Sequence, residues 1–254
     1  MHLKKVLDMP VKLISLNIEG DKHFARWIPE VQRQNPDVLC LQEVFAEDMD
    51  LISSSLDMVG YFIPMMNVTE GNSYKISPKG LWGIGYFTRL EHTSPQVHYY
   101  AGEGELRTFK KPGDSARVLV TAENTSLAGE KVCIGTTHFT WTPNGEASDE
   151  QRRDAAALLE CLAEYPEVAF CGDFNAPRGK EIFSLFAENY TDNLPKEVTS
   201  TPDPTLHYKG SQLELAVDTL FTSSGYTARN VAVLTGVSDH YGIVAEISCT
   251  RAVN

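Results

Sequence analysis

The chain has 254 residues, 42% of them hydrophobic and 22% charged, and a formal net charge of -12. A chain of that length can bury a full core, and the composition is that of an ordinary globular protein. The acidic balance argues against a protein that coats nucleic acid by bulk electrostatics, and no apolar run approaches the roughly 20 residues of a membrane-spanning helix.

Residues 11–16 (VKLISL) read as a buried strand that ends at Asn17-Ile18-Glu19-Gly20. Residues 24–34 read as a helix, with Pro29 marking its first turn. Residues 37–41 (DVLCL) give a second buried strand, ending at Gln42-Glu43, and residues 46–56 a helix. Strands over 61–66 and 80–87 flank a polar loop containing Glu70, Asn72, Tyr74 and Lys75. Strands follow over 96–100, 117–123 and 131–137, the last ending at His138. Between them the basic run Arg107-Thr108-Phe109-Lys110-Lys111 reads as a solvated loop. Ser148 opens a long helix through a capping box with Gln151, and Ala155, Leu158, Leu159 and Leu162 form its apolar stripe. Residues 168–171 (VAFC) are the central strand, stopped by Gly172, which delivers Asp173 and Asn175 onto a loop. After a helix over 180–187 comes a loop rich in proline (Pro195, Pro202, Pro204). A strand over 215–222 carries Asp218, another covers 231–234, and Ser238-Asp239-His240 precedes the last, over 243–248.

Many strands with few helices fit two packed sheets flanked by helices better than a doubly wound parallel sheet. No internal repeat or linker interrupts the pattern, so a single domain over 1–254 is expected. The N-terminal stretch MHLKKVLDMPVKL has no long apolar run or small-residue cleavage site, and no secretory signal is expected. The cysteines, 40, 133, 161, 171 and 249, are odd in number and lack CxxC spacing. They are expected to be unpaired small hydrophobes of a reducing, cytoplasmic compartment.

Polar residues recur where apolar runs stop: Asn17, Glu19, Glu43, His138, Asp173, Asn175, Asp218, Asp239 and His240. A carboxylate at the mouth of a buried strand can take a proton from water, and an amide can donate to an anionic oxygen. The same residue types also populate plain turns, so Asp173 and Asn175 fit an Asx turn equally. Glu19, Glu43, Asp173 and Asp239 are candidate ligands for one hard cation, with magnesium favoured by oxygen donors. Two histidines without nearby thiols make no zinc signature, and HExxH is absent. Spacing alone leaves the alternatives open: Glu43 as a solvated strand end, His138 as a satisfied structural histidine, Asp218 as a strand-end charge.

Six short motifs occur in order: LISLNIEG, DVLCLQEV, TTHFT, CGDFN, AVDTLF and GVSDHYG. Together they resemble the endonuclease/exonuclease/phosphatase (DNase-I-like) superfamily of metal-dependent phosphoesterases, from Val11 to Ile247. The resemblance implies an α/β fold, a four-layer α/β/β/α sandwich of two packed mixed sheets with the site at one rim. It implies Glu43 as main metal ligand, with Glu19 and Asp239 beside it and Mg2+ (or Mn2+) as the ion. It implies Asp173 as general base, with His240 the competing choice, and Asn17 and Asn175 orienting phosphate or water. His240 paired with Asp218, and also His138, would contact the phosphate, and Arg117 and Arg178 are further candidate phosphate contacts. Locally, Asn17-Ile18-Glu19-Gly20 and Ser238-Asp239-His240-Tyr241-Gly242 are similar to the tyrosyl-DNA-phosphodiesterase branch. Phe174 and Phe139-Thr140-Trp141 depart from that branch, and Ala216-Val217-Asp218-Thr219 departs from the W-C-D-R element of inositol phosphatases. The expected partner is a phosphodiester on a nucleic-acid end or adduct. A small-molecule, inositol or lipid phosphoester, or a non-catalytic binding role, stands as the alternative.

Overall fold

The computed structural model describes residues 9–250. Residues 251–254 lie outside it, as do residues 1–8, on which much of the signal-peptide expectation rests. In chain order the elements are β1 (Val11–Asn17), α1 (Phe24–Gln34), β2 (Val38–Phe45), α2 (Met49–Leu56), β3 (Val59–Val68) and β4 (Gly80–Thr88). Then come β5 (Glu91–His92), β6 (Gln96–Ala101), β7 (Arg117–Thr125), β8 (Lys131–His138), α3 (Asp149–Leu162) and β9 (Ala169–Asp173). The last are α4 (Glu181–Ala187), β10 (Thr191–Asp192), β11 (Asp218–Thr222), β12 (Tyr226–Leu234) and β13 (Gly242–Cys249).

The strands form two mixed sheets, ordered β12-β13-β1-β2-β4-β3 and β10-β11-β9-β8-β7-β5, with β6 also pairing β7. The ladders β1/β2 and β8/β9 are parallel, and the flanking ladders are antiparallel. Inner faces meet in one apolar layer, where Leu13, Cys40, Ile84 and Tyr86 pack with Val118, Ile134, Cys171 and Leu220. The outer face of the first sheet (Ile14, Leu16, Leu39, Leu41) is covered by Trp27 and Val31 of α1 and Ile52 and Leu56 of α2. Ala155, Leu158 and Phe186 of α3 and α4 cover Phe170 and Phe221 of the second. Covered on both faces, the central strands need apolar residues at successive positions, which explains runs such as DVLCL and VAFC. The result is the expected α/β/β/α sandwich.

Three local expectations change. Pro29 is the sixth residue of α1, not part of its first turn, so the helix forgoes the bond from position 29 to the Ala25 carbonyl. At α3 the Ser148 hydroxyl accepts from Gln151 N at 3.1 Å, but the Gln151 side chain does not reach back. It donates instead to the carbonyls of Thr140 (2.7 Å) and Asn175 (3.3 Å), tying the helix to two strand ends. The basic run is also no free loop: Phe109 is buried, and its N–H donates to Asn67 O at 2.8 Å. The five cysteines are unpaired, as expected.

Candidate active site

The register of the second sheet sets His138, Asp173 and Asp218 in one row, because His138 pairs with Asp173 across β8/β9 and Asp218 with Asp173 across β9/β11. Here the extended reading of 215–222 is shortened: β11 begins at Asp218, at the mouth of the sheet. Gly172 permits the row. Its φ is +144°, and a Cβ there would stand 1.9 Å from the Thr137 carbonyl oxygen. The first sheet contributes Asn17 at the end of β1 and Glu43 on β2. Glu43 interrupts the β2/β4 register between Gln42 and Val44 and adopts φ 65°. A bulge of this kind re-aims one side chain out of the alternation. Glu19 (φ 50°) and Asn175 (φ 47°) share the left-handed region, so strain collects at the mouth.

Asn17 joins the two sheets. Its Nδ2 donates to Glu43 Oε1 (3.0 Å) and to Asp173 Oδ2 (3.1 Å), and its Oδ1 accepts from Glu19 N (3.2 Å). Asp173 Oδ1 accepts from Asn175 N at 2.9 Å, while Asn175 Nδ2 donates to Phe139 O at 3.2 Å. His240 Nδ1 lies 2.8 Å from Asp218 Oδ2 and 3.9 Å from Asp173 Oδ2; His138 Nε2 lies 3.6 Å from the same Asp173 oxygen. The proline-rich loop holds this pair in place. Thr201 Oγ1 accepts from Val217 N and Asp218 N, each at 3.0 Å, and Thr201 O accepts from Tyr241 N at 2.7 Å. Asp203 N donates to Asp239 O at 2.7 Å.

The charges are mutually perturbing. Burial, then the Asp239 charge, pushes the Glu43 carboxyl up to about 8. Burial and Asp218 raise Asp173 to about 6, and burial raises Asp239. Burial opposes the His240 cation, but Asp218, Asp173 and Asp239 outweigh it and hold the imidazole well above its usual value. His138 goes the other way: burial, Arg117 and His240 hold it well below its usual value, and its buried Nδ1 has no hydrogen-bond partner among the described residues. Among the described residues no lysine or arginine forms an ion pair with Glu43, Asp173 or Asp239. Crowded carboxylates whose close cationic neighbour is the His240 imidazole, with no lysine or arginine paired to them among the described residues, suit a divalent oxygen-loving ion. Glu19, His23 and Asp239 bring ligand atoms within 4.8 Å of one another, as do His207, Asp239 and His240. Glu43 stands outside those groups, facing the same cavity.

That cavity, of ≈ 520 Å³, is lined by Glu19, Glu43, His138, Asp173, Asp239 and His240, and also by Asn175 and Arg117. Asn17 and Asp218 lie behind this lining as supports for other side chains. Glu19 is engaged by Lys22 and by His23 Nε2 (2.9 Å). Arg117 is buried, and its guanidinium donates to the carbonyls of His138 (3.4 Å) and Pro112 (3.2 Å). Arg178 is not brought to the site. Its guanidinium turns into the 192–198 loop, 2.7 Å from Asp192 Oδ2, and donates to the carbonyls of Leu194 and Pro195. It is a loop clamp, because buried carbonyls and a carboxylate already occupy its donors. The sequence reading missed His23, His207, Thr201 and Asp203. The spacing Glu19 to His23 was a usable signal; the TPDPTLH stretch carries no periodicity that could have flagged the others.

The sequence model of the Endonuclease/Exonuclease/phosphatase family matches residues 14–240. No curated protein sequence matches the chain. Among solved structures, the human Nocturnin catalytic domain with bound sulfate anion is 21% identical, with TM-score 0.68, over 96% of each chain. The Bacteroides thetaiotaomicron mannosyl-6-phosphatase Bt3783 is 13% identical, with TM-score 0.67, over 94% of this chain and 99% of that one. ANGEL2, a 2′,3′-cyclic phosphatase in complex with adenosine-2′,3′-vanadate, is 15% identical, with TM-score 0.65, over 94% and 96%. At these identities the likeness is one of fold.

Proposed function

The chain belongs to the endonuclease/exonuclease/phosphatase family, and from that premise we propose that it is a divalent-metal-dependent phosphodiester hydrolase acting by in-line water attack. The observation that carries the reading is the meeting of Glu43 and Asp239, neither ion-paired to lysine or arginine, with Asp173 and His240 on one cavity. Glu43, Asp239 and Glu19 would hold Mg2+, with Mn2+ a substitute. When bound, the ion neutralises charge on the phosphoryl oxygens and the leaving group. Asp173, fixed by Asn17 and Asn175, accepts the proton of the attacking water. His240 is the poorer base, because Asp218 holds its Nδ1 and favours the cation; its Nε2 donates to a phosphoryl oxygen. Arg117 adds positive charge from behind His138.

The substrate we favour is a nucleic-acid end or adduct, in keeping with the local motifs of the tyrosyl-DNA-phosphodiesterase branch and a cytoplasmic setting. A small phosphoester is the second reading, favoured by the bounded cavity and by the sugar-phosphate activity in the name of one structural neighbour. The test is hydrolysis of bis(p-nitrophenyl) phosphate and of a panel of 5′- and 3′-modified oligonucleotides. EDTA should abolish turnover and Mg2+ restore it, and Glu43→Gln should raise the metal concentration needed for half activity. Full turnover after exhaustive chelation would sink the mechanism.

A further inference from the structure

Three aromatic residues from distant segments meet beside the reacting groups. Tyr74 comes from the loop 69–79, Phe109 from the basic run, and Trp141 from the segment after β8. Tyr74 stands edge to face with Phe109 at 5.5 Å and with Trp141 at 6.4 Å, and all three line the active-site cavity. Phe109 is 4% exposed, but Tyr74 and Trp141 keep 44% and 36% of their surface open. The loop is fastened: Asn72 Oδ1 accepts from Tyr74 N (3.1 Å) and Ile76 N (3.2 Å), and Lys79 pairs with Asp21, Glu47 and Asp48 at the mouth. A second pair of rings, His207 and Tyr208, 4.6 Å apart, also lines the cavity, with His207 6.0 Å from His240. Lys75 and Lys209 lie in the same lining, in a chain of net charge -12.

Open aromatic faces fixed beside an anion-handling centre are a platform for a flat ring joined to a phosphate. We propose that this cavity takes a nucleotide, its base stacked on the face of Tyr74 and flanked by the near-perpendicular Trp141, while its phosphoester meets His240 and Asp173. A volume of ≈ 520 Å³ suits one nucleotide-sized unit. The assignment rests on the phosphoesterase reading and narrows its substrate to esters that carry a base. Sugar phosphates and inositol phosphates carry saturated, puckered rings and offer no flat π face to stack.

Trp82, buried, and Trp141, partly open, both line the cavity and Trp27 does not, so the part of a fluorescence change that Trp141→Ala removes is the part that reports on the aromatic wall. Adenosine 5′-monophosphate with Mg2+ should quench tryptophan fluorescence saturably, and ribose 5-phosphate should bind far more weakly by calorimetry. Base stacking is worth about 1–3 kcal/mol by alanine substitution, so Tyr74→Ala should weaken nucleotide binding about 5–150-fold. Trp141→Ala should lower kcat/KM for adenylyl-adenosine, relative to ring-free glycerophosphoethanolamine, by a similar factor, with circular dichroism confirming the fold of both variants. Equal affinity for the nucleotide and ribose 5-phosphate, a preference for phenyl phosphate, or an unchanged substrate ratio would overturn the inference. Metal-dependent hydrolysis without base preference would refute this assignment alone. No metal-dependent hydrolysis of any diester would refute the reading beneath it.

Discussion

Asp173→Asn should make the metal-free protein more resistant to unfolding as pH rises, relative to wild type, while lowering turnover about 100-fold or more. The buried carboxyl is raised from its ordinary 3.8 to about 6, chiefly by burial and then by Asp218. Between those values the unfolded chain has released the proton and the native one retains it, so stability falls as pH rises through that window. Integrating from pH 4.5 to 7.5 gives a loss of about 2 kcal/mol carried by this one group. Asparagine cannot ionise and escapes it. The substitution also turns an amide N–H toward Asn17 Nδ2, which now donates to Asp173 Oδ2 at 3.1 Å, a cost of about 1–3 kcal/mol. That cost does not depend on pH and cancels in the comparison. The assay is urea unfolding of both proteins in EDTA at the two pH values. The gap between them should move by about 2 kcal/mol in the variant's favour, or about 4–8 °C in Tm for a chain of this size. Parallel pH profiles would refute the idea that the site stores the repulsion of a buried carboxylate. A folded variant with near-normal turnover would move the base elsewhere, to His240.

Asp218→Asn, His240→Ala and the double variant should be strongly non-additive in kcat/KM, because Asp218 reaches the substrate only through the imidazole it holds at 2.8 Å. Independent multiplicative losses, with metal saturating and all variants folded, would reject the coupled pair. Gly172→Ala should cost about 3 kcal/mol or more, since its Cβ would meet the Thr137 carbonyl oxygen at 1.9 Å; a variant with wild-type Tm would show that β8 and β9 separate freely. Arg178→Met should lower Tm by about 2–6 °C through loss of the loop clamp while nucleotide affinity stays put, and a large rise in KM with unchanged Tm would return Arg178 to the substrate.

Much of the site could be read from the chain because of where buried strands must stop. A strand covered on both faces stays apolar until it nears its mouth, so Gly172-Asp173, the last residues of β9, mark the rim, and Gln42-Glu43 break the apolar run of β2 near its own end. The bulge at Glu43 was not legible, since the register that creates it belongs to the partner strand β4. Arg178 shows the converse. It follows Asn175 by three residues and looks like a site cation, yet carbonyls 16 and 17 residues further along capture it. Thr201 and Asp203 act through backbone groups of other segments, a role that leaves no mark in composition or spacing. The aromatic wall was equally hidden, because three loops supply one residue each.

The position of β13 has a consequence for how the protein is made. It is inserted between β12 and β1, and His240 precedes it by two residues. A growing polypeptide thus presents Glu43 and Asp173 long before β1 gains its antiparallel neighbour. Folding can proceed from the N-terminal side during synthesis, yet the imidazole arrives near the end. A nascent chain still short of residue 240 lacks the imidazole that pairs with Asp218, so the row of polar side chains at the rim is completed only as the segment leading into the last strand emerges.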